Sequence, residues 1–312
     1  MKQYFAPMEG ITTYVFRCLH HKYFKGVDCY FTPFISPTMH GTFTPRERKD
    51  VLPAHTQGVP TVPQILANNA EYFLETTKEL EAYGYTEVNL NLGCPSTGVV
   101  NKAKGSGLLG DPFRLERFLD EIFEKSVLPI SIKTRIGRFE EEEWEDLLAL
   151  YNRYPLKELI VHPRVQKDFY KQPVHKELFV RTWKDSQCPV CYNGDIYTVE
   201  DYRNIESQCP GLSAIMLGRG LLVRPDLLEQ VSGEAGETQK EPKFWQFVEE
   251  VFEAYYEELG NNALYKMKEL WIYMEQGFDS VDKYTKKIKK ARNVLEYRQA
   301  VEALKEITLE GR

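Results

Sequence analysis

Residues 89–110 read NLNLGCPSTGVVNKAKGSGLLG, and two folds compete for them. Their last six residues, Gly105 to Gly110, match the G-x-G-x-x-G turn of a dinucleotide-binding half-domain. That turn must leave a strand directly and open a helix, because its glycines bring a pyrophosphate onto a helix N-terminus. Here the apolar strand ends near Leu92, well upstream, and Cys94-Pro95 intervenes. The match is coincidental. What remains is a cysteine just past a strand end. Behind it, STGVVNKAKGSG reads as a lid hinged on its glycines, whose Lys102 and Lys104 can meet phosphate.

Similar strand-like runs recur on both sides: KQYFAPM, DCYFTPFI, TVPQILA, EVNLNLGC, PISIKTR, ELIVHPR, PVCYNGD and AIMLGRG. Between them lie amphipathic segments. AEYFLETTKELEAYG places Tyr72, Phe73, Thr76, Leu80 and Tyr83 on one face, and DPFRLERFLDEIFEK opens with Asp111 as N-cap and Pro112 at the first helical position. The connection over 36–58, rich in Pro, Thr and charge, is the least helical. Strands alternating with helices predict a parallel sheet, and eight units ending near residue 220 predict a closed (β/α)₈ TIM barrel over an open doubly wound sheet. Composition changes after residue 231, where SGEAGETQKEP has the character of a linker and the segments beyond it carry helical periodicity alone. The expected organisation is a barrel domain over 1–232 followed by a small C-terminal helical bundle over 241–312.

The chain has 312 residues, enough for such a core, and its 40 Lys+Arg against 46 Asp+Glu exclude a wholesale cationic coat. The opening residues lack the apolar stretch of a signal peptide, and no run approaches the roughly 18 apolar residues of a membrane span. A cytoplasmic protein with reduced thiols, no membrane contact and no metal is expected. Cys188 and Cys191 form a C-x-x-C, but no second pair stands at zinc-ligand spacing, and CPVCYNGD reads as a strand that contains two cysteines.

In a barrel of this kind, side chains at the C-terminal ends of the strands face one shared site. Those ends carry Met8 and Glu9, Gln64, Asn89, Asn91 and Cys94, Lys133 and Arg135, His162 and Arg164, Asn193 and Asp195, then Gly218 and Arg219. A strand buried on both faces should be almost continuously apolar. A lone Gln, Lys or His there is more often a hydrogen-bonded structural residue; the set as a whole points to a site. NGDI at 193–196 and LGRG at 217–220 lie where such barrels build phosphate sites, ahead of an extra helix expected over VRPDLLEQV with Pro225 at its start.

The elements APMEGIT, VPQILANN, NLNLGCPS, IKTRIG, IVHPR, NGDI and MLGRG, in that order, resemble the flavin-dependent tRNA-dihydrouridine synthases. The resemblance implies bound FMN, reduced by NADPH or NADH, and tRNA as the partner of a monomeric enzyme. By it, Pro7, Met8 and Glu9 line the flavin ring, Gln64 and Lys133 hydrogen-bond its polar edge, and His162 lies close. Asn193, Gly194, Asp195, Gly218 and Arg219 would hold the ribityl chain and phosphate. Cys94 matches the family's catalytic cysteine, while Asn91 and Arg135 fall near the bound uridine and Arg164 on the RNA side. One stretch departs from the pattern: where the family usually continues its histidine as Gly-Arg-Thr and later Gln-x-Tyr, this chain has HPRVQKDFY, with Pro163, Val165 and Asp168 at the altered places.

Reduction of the uracil 5,6 double bond needs a hydride on one carbon and a proton on the other. An ordinary thiol, with a pKa of about 8.5, is almost wholly protonated at neutral pH and serves as an acid without special tuning. Lys133 would stabilise negative charge on the reduced ring. The rival activities are a dihydroorotate-dehydrogenase-like enzyme acting on a free pyrimidine, which has no use for a basic tail, and a dihydrouridine synthase acting on another RNA. The tail carries Lys283, Lys286, Lys287, Lys289, Lys290 and Arg292 without an acidic residue among them, and Lys266 and Lys268 add to a surface suited to RNA phosphate.

Overall fold

The computed structural model describes residues 1–56, 58–234 and 242–309. Nine strands are present among them: β1 (Lys2–Phe5), β2 (Cys29–Phe31), β3 (Thr61–Val62), β4 (Gln64–Ile65), β5 (Val88–Leu92), β6 (Ile130–Gly137), β7 (Leu159–Val165), β8 (Val190–Tyr192) and β9 (Ala214–Leu217). They form one sheet in the order β3-β2-β1-β9-β8-β7-β6-β5-β4. Every pairing within it is parallel. The two ends of that order are consecutive in sequence, separated only by Pro63. Proline has no N–H for the ladder, yet its carbonyl still accepts from Asn89 N–H at 2.9 Å. β3 and β4 are therefore one strand broken by a proline, and the sheet closes as an eight-stranded barrel. The open-sheet alternative is excluded.

Contact clustering divides the chain into two compact units that interleave in sequence. The first comprises residues 1–7, 28–195 and 204–217 and holds all nine strands; the second comprises 8–27, 196–203 and 218–312. The expected linker falls on 232–242, of which 235–241 lie outside the described residues.

Within the first unit the local rules hold at the helix starts. Asp111 accepts the Arg114 N–H at 3.1 Å and Pro112 opens the helix Pro112–Lys125; Asn69 accepts the Tyr72 N–H at 2.9 Å ahead of Ala70–Ala82. Side chains alternate across each strand, so every second residue enters the barrel. The interior divides into two arcs. Along β3, β2, β1, β9, β8 and β7 it is filled by Val62, Phe31, Tyr4, Ala6, Ala214, Met216, Cys191 and Ile160. Along β4, β5 and β6 it carries Gln64, Asn89, Asn91, Ser131 and Lys133 instead, the first four of them buried. Cys191 is thus a core strand residue, and Cys188 is half-buried against Ser186.

The second unit is helical, with Tyr14–Tyr23, Pro242–Leu259, Ala263–Met274, Asp282–Lys290 and Val294–Leu309 as its main helices. Its core is aromatic: Phe247 meets Phe16, His20 and Phe24 at ring separations of 5.6, 6.4 and 5.2 Å, and Phe252 stacks on Tyr297 at 4.8 Å. The extra helix expected over VRPDLLEQV forms as Leu227–Ser232, just past Pro225, and a short helix that was not expected, Arg219–Val223, precedes it. The break between them follows from Pro225, which disfavours helical geometry at Arg224 and leaves it extended at φ −135°. No helix among the described residues is long and apolar enough to cross a membrane.

Candidate active site

At the C-terminal end of β5 the chain turns through Gly93 and Cys94, and this turn is held from both sides. Asn91 Oδ1 accepts the Gly93 and Cys94 N–H groups at 3.1 and 2.9 Å. The Cys94 carbonyl accepts from Ser106 N–H at 3.2 Å and from its hydroxyl at 2.8 Å. Ser106 belongs to GSGLLG, expected as a hinge. The structure corrects that expectation: Gly105–Gly110 is a 3₁₀ helix whose residues through Leu109 are buried. Its glycines serve close approach instead of flexibility. Gly105 has φ +54°, and a Cβ there would stand 2.9 Å from the Cys94 carbonyl oxygen; a Cβ on Gly107 would stand 2.7 Å from the Val100 oxygen. The preceding turn is also pinned, by Asn68 Nδ2 donating to the Lys102 and Ala103 carbonyls at 2.8 and 3.0 Å. Lys104 is half-buried and donates to Ser36 Oγ at 3.0 Å, whereas Lys102 is exposed. Gly105→Ala is accordingly expected to destabilise the protein by about 2 kcal/mol or more, from left-handed backbone strain and the clash with Cys94. A thermal midpoint unchanged from wild type would contradict this anchoring.

Lys133, on β6 in register with Asn91, is half-buried and has no hydrogen bond or ion pair among the described residues. Burial, helped by the Arg135 charge, pushes its ammonium down to about 8. Arg135 is 1% exposed and satisfied by the protein, donating to the Gly93, Val165 and Phe169 carbonyls at 3.0, 2.9 and 2.8 Å. It also stacks over the Tyr170 ring at 5.2 Å. His162 is buried between two partners: Nδ1 donates to the Asn193 carbonyl at 2.8 Å and Nε2 accepts from Arg164 at 3.2 Å. Burial first, then the charges of Arg135, Lys133 and Arg164, hold the ring well below the usual histidine range, so it is neutral. Arg164 completes its own fork on Asp195 and the Gln172 carbonyl. Asn193 Nδ2 donates to the Met216 carbonyl at 2.8 Å, and Gln64 is engaged by Asn89 and Asn91. The first unit thus joins a half-buried thiol on a rigid turn, an ammonium without a partner among the described residues and a neutral histidine at one end of the barrel.

A family model described as Dihydrouridine synthase (Dus) matches residues 4–310. The chain belongs to the dihydrouridine synthase family. Among curated relatives of this family member, a probable tRNA-dihydrouridine synthase of Staphylococcus aureus (strain COL) is 31% identical over 234 residues, 72% of this chain and 70% of that protein. A tRNA-dihydrouridine(16) synthase of Pseudomonas syringae pv. tomato is 29% identical over 258 residues, 77% of each chain. Among solved structures, morphinone reductase in complex with tetrahydroNAD superposes with a TM-score of 0.53 at 13% identity, covering 78% of this chain and 90% of that one. At that identity the likeness shows the fold alone.

The departure from the dihydrouridine synthase pattern at HPRVQKDFY has a local structural basis. Between β6 and β7 the register slips, with Arg135 opposite His162 but Gly137 opposite Val165. The bulge accommodates Pro163, which has no N–H to offer β6. Asp168 then caps the following turn by accepting the Val165 N–H at 3.2 Å, and Phe169 takes φ +52° with its carbonyl held by Arg135. Arg135 and Asp168 are therefore organisers of this loop, a role that residue type and spacing do not reveal.

In the second unit, Met8 opens a turn by donating its N–H to Thr12 Oγ1 at 2.9 Å, Glu9 is exposed, and Arg219 lies over the Tyr197 ring at 5.6 Å. Gly218 precedes it as the residue before Arg219–Val223, and Pro7 and Gly194 in the first unit are half-buried. The expected RNA lysines separate into two groups. Lys266 donates to the Gly10 carbonyl at 2.9 Å, Lys268 to the Ala291 carbonyl, and Lys289 pairs with Glu275 at 2.7 Å. Lys286, Lys287 and Lys290 are exposed and have no ion pair among the described residues.

Proposed function

We propose that this chain reduces the 5,6 double bond of a uridine in tRNA to dihydrouridine, with FMN that NADPH or NADH reduces, as a cytoplasmic monomer. The observation that carries the reading is Lys133: a half-buried ammonium with no carboxylate partner among the described residues, beside the Cys94 turn, in a chain of the dihydrouridine synthase family. An uncompensated buried cation is unfavourable unless an electron-rich group completes it, and the polar edge of a flavin has that chemistry. When bound, the flavin supplies the hydride. Cys94 holds the proton for the second carbon, because His162 is neutral and already bonded at Nε2. His162 and Asn193 border the same end of the barrel. Pro7, Met8, Glu9, Gly194, Asp195, Gly218 and Arg219 keep the flavin roles that the resemblance gives them, Gln64, fully buried with its amide held by Asn89 and Asn91, acts on the site through Asn91, and Asn91, Arg135 and Arg164 support the uridine side through the loops they hold.

We assign catalysis to 1–232 and RNA affinity to 241–312. Lys286, Lys287 and Lys290 are, with Lys283, tail lysines left for phosphate among the described residues, so replacing these three by alanine should weaken tRNA binding and reduce the slope of log K against log salt by about 2. Flavin content should stay at the wild-type level. A filter-binding titration across salt concentrations measures it, and an unchanged slope would remove the tail from the interface. The activity itself is tested by incubating purified protein, NADPH and unmodified tRNA anaerobically and assaying for dihydrouridine. Failure with tRNA but turnover of a free pyrimidine would reverse the assignment.

A further inference from the structure

The polar arc of the barrel contains a continuous chain of side-chain hydrogen bonds that ends on the Cys94 turn. From that turn, the Gly93 and Cys94 N–H groups donate to Asn91 Oδ1, and Asn91 Nδ2 donates to Gln64 Oε1 at 2.7 Å. Gln64 Nε2 then donates to Asn89 Oδ1 at 2.8 Å, Asn89 Nδ2 to Ser131 Oγ at 2.9 Å, and Ser131 Oγ to Glu87 Oε1 at 2.9 Å. Gln64, Asn89 and Ser131 are 0% exposed. The direction of every link is forced by the two ends. Backbone N–H groups can only donate, and an ionised carboxylate, here paired with Lys157, can only accept. Each amide between them therefore has one permitted orientation, and bonds aligned head to tail polarise one another.

Stability alone does not call for this arrangement. The opposite arc fills much of the interior with Ala6, Phe31, Val62 and Ile160, whose side chains need no partners, whereas each buried amide is unfavourable unless it is satisfied. The other side of the turn is already fixed, by Ser106 on the Cys94 carbonyl and Arg135 on the Gly93 carbonyl. The chain supplies the remaining restraint, on the N–H side.

We propose that Asn89 and Ser131 are positioning residues for the reaction: through Gln64 and Asn91 they hold the Cys94 turn in one orientation and so set where the thiol presents its proton. This rests on the reading of Cys94 as the proton donor. Asn89→Leu removes both donor and acceptor at similar volume, Asn89→Asp keeps the acceptor that Gln64 uses, and Ser131→Ala is the milder cut. Two readouts apply to the protein as purified: the separate rates of flavin reduction by NADPH and of uridine reduction, and the pH profile of Cys94 alkylation by iodoacetamide, followed by peptide mass spectrometry.

Asn89→Leu is expected to slow uridine reduction by about 10- to 100-fold, the scale of a displacement on the order of 1 Å, with flavin reduction close to wild type. Its alkylation profile should shift along the pH axis. Asn89→Asp keeps the link to Gln64 but loses the donation to Ser131, so it should lie with Ser131→Ala between wild type and Asn89→Leu, and Ser131→Ala decides the matter if Asn89→Leu does not fold. Cys94→Ala, run in parallel, separates the two ideas. If it slows uridine reduction selectively while Asn89→Leu and Ser131→Ala do not, the positioning role is wrong. If it slows both steps alike, the donor reading fails, and a Cys94 alkylation profile identical in wild type, Asn89→Leu and Ser131→Ala then overturns the positioning role as well.

Discussion

Cys94→Ala protein is expected to accept hydride from NADPH at the wild-type rate and to reduce uridine in tRNA about 10² to 10⁴ times more slowly, the usual contribution of general acid catalysis. The selectivity follows from the site. His162 is neutral, donates through Nδ1 to the Asn193 carbonyl and accepts from Arg164 at Nε2, so it has no proton to give. Arg135 and Arg164 have their N–H groups on protein acceptors. Cys94 is the titratable group placed on a rigid turn at the strand end, and its main chain is held by Asn91 and Ser106 independently of the side chain. Truncation to alanine therefore leaves the turn in place and removes the thiol alone. Anaerobic mixing first with NADPH and then with unmodified tRNA resolves the two steps. Equal losses in both would make Cys94 a support for flavin geometry.

Lys133→Met should give the second large effect, a loss of about 10² to 10³ in flavin reduction, the scale of removing one preorganised charge-stabilising group. The pH dependence has a definite sign. Burial lowers the ammonium from 10.5 to about 8, so in the ligand-free protein it is charged below that value and neutral above it. FMN affinity should be greatest below about pH 8 and decline as pH rises through it. Lys133→Arg, charged at every pH of interest, should flatten that limb, and Lys133→Met should lie low and flat. Protein stability runs the other way: the unfolded chain binds this proton more tightly, so the folded, ligand-free protein gains stability from this group as pH rises from about 8 toward 10.5. FMN fluorescence titrations from acid to alkaline pH, with thermal midpoints on the same samples, measure both. A wild-type affinity that holds steady through pH 8 would detach Lys133 from the flavin.

The barrel was legible because its signals are local. Each β run ends in turn residues, the helices between them start on Asp111 and Asn69 caps, and the polar residues cluster at one end of each strand. TVPQILA reads as one run although a proline within a run ordinarily weakens a strand, and the structure gives the reason it holds: the Pro63 carbonyl still accepts from Asn89. The basic tail was visible as composition. Which of its lysines remain available was not, because Lys266, Lys268 and Lys289 find their acceptors on other segments of the second unit.

By itself, the sequence determined the strand order of an α/β barrel, the family, and the identity of Cys94 and Lys133 as the groups to watch. Tertiary structure decided what surrounds them. Gln64, Asn91, Arg135 and Arg164 have side chains that could serve a ligand or the protein equally well, and the choice depends on which acceptors parallel pairing brings within 3 Å or so. In GSGLLG the glycines suit a hinge and a close contact alike; only the packing of Gly105 against Cys94 makes them an anchor. Residue type fixes what a group can donate or accept, but the partner is chosen by register and ring closure, which bring together positions far apart in the chain. That is why the direction of the amide chain from Glu87 to Cys94 emerges only once β4, β5 and β6 lie side by side.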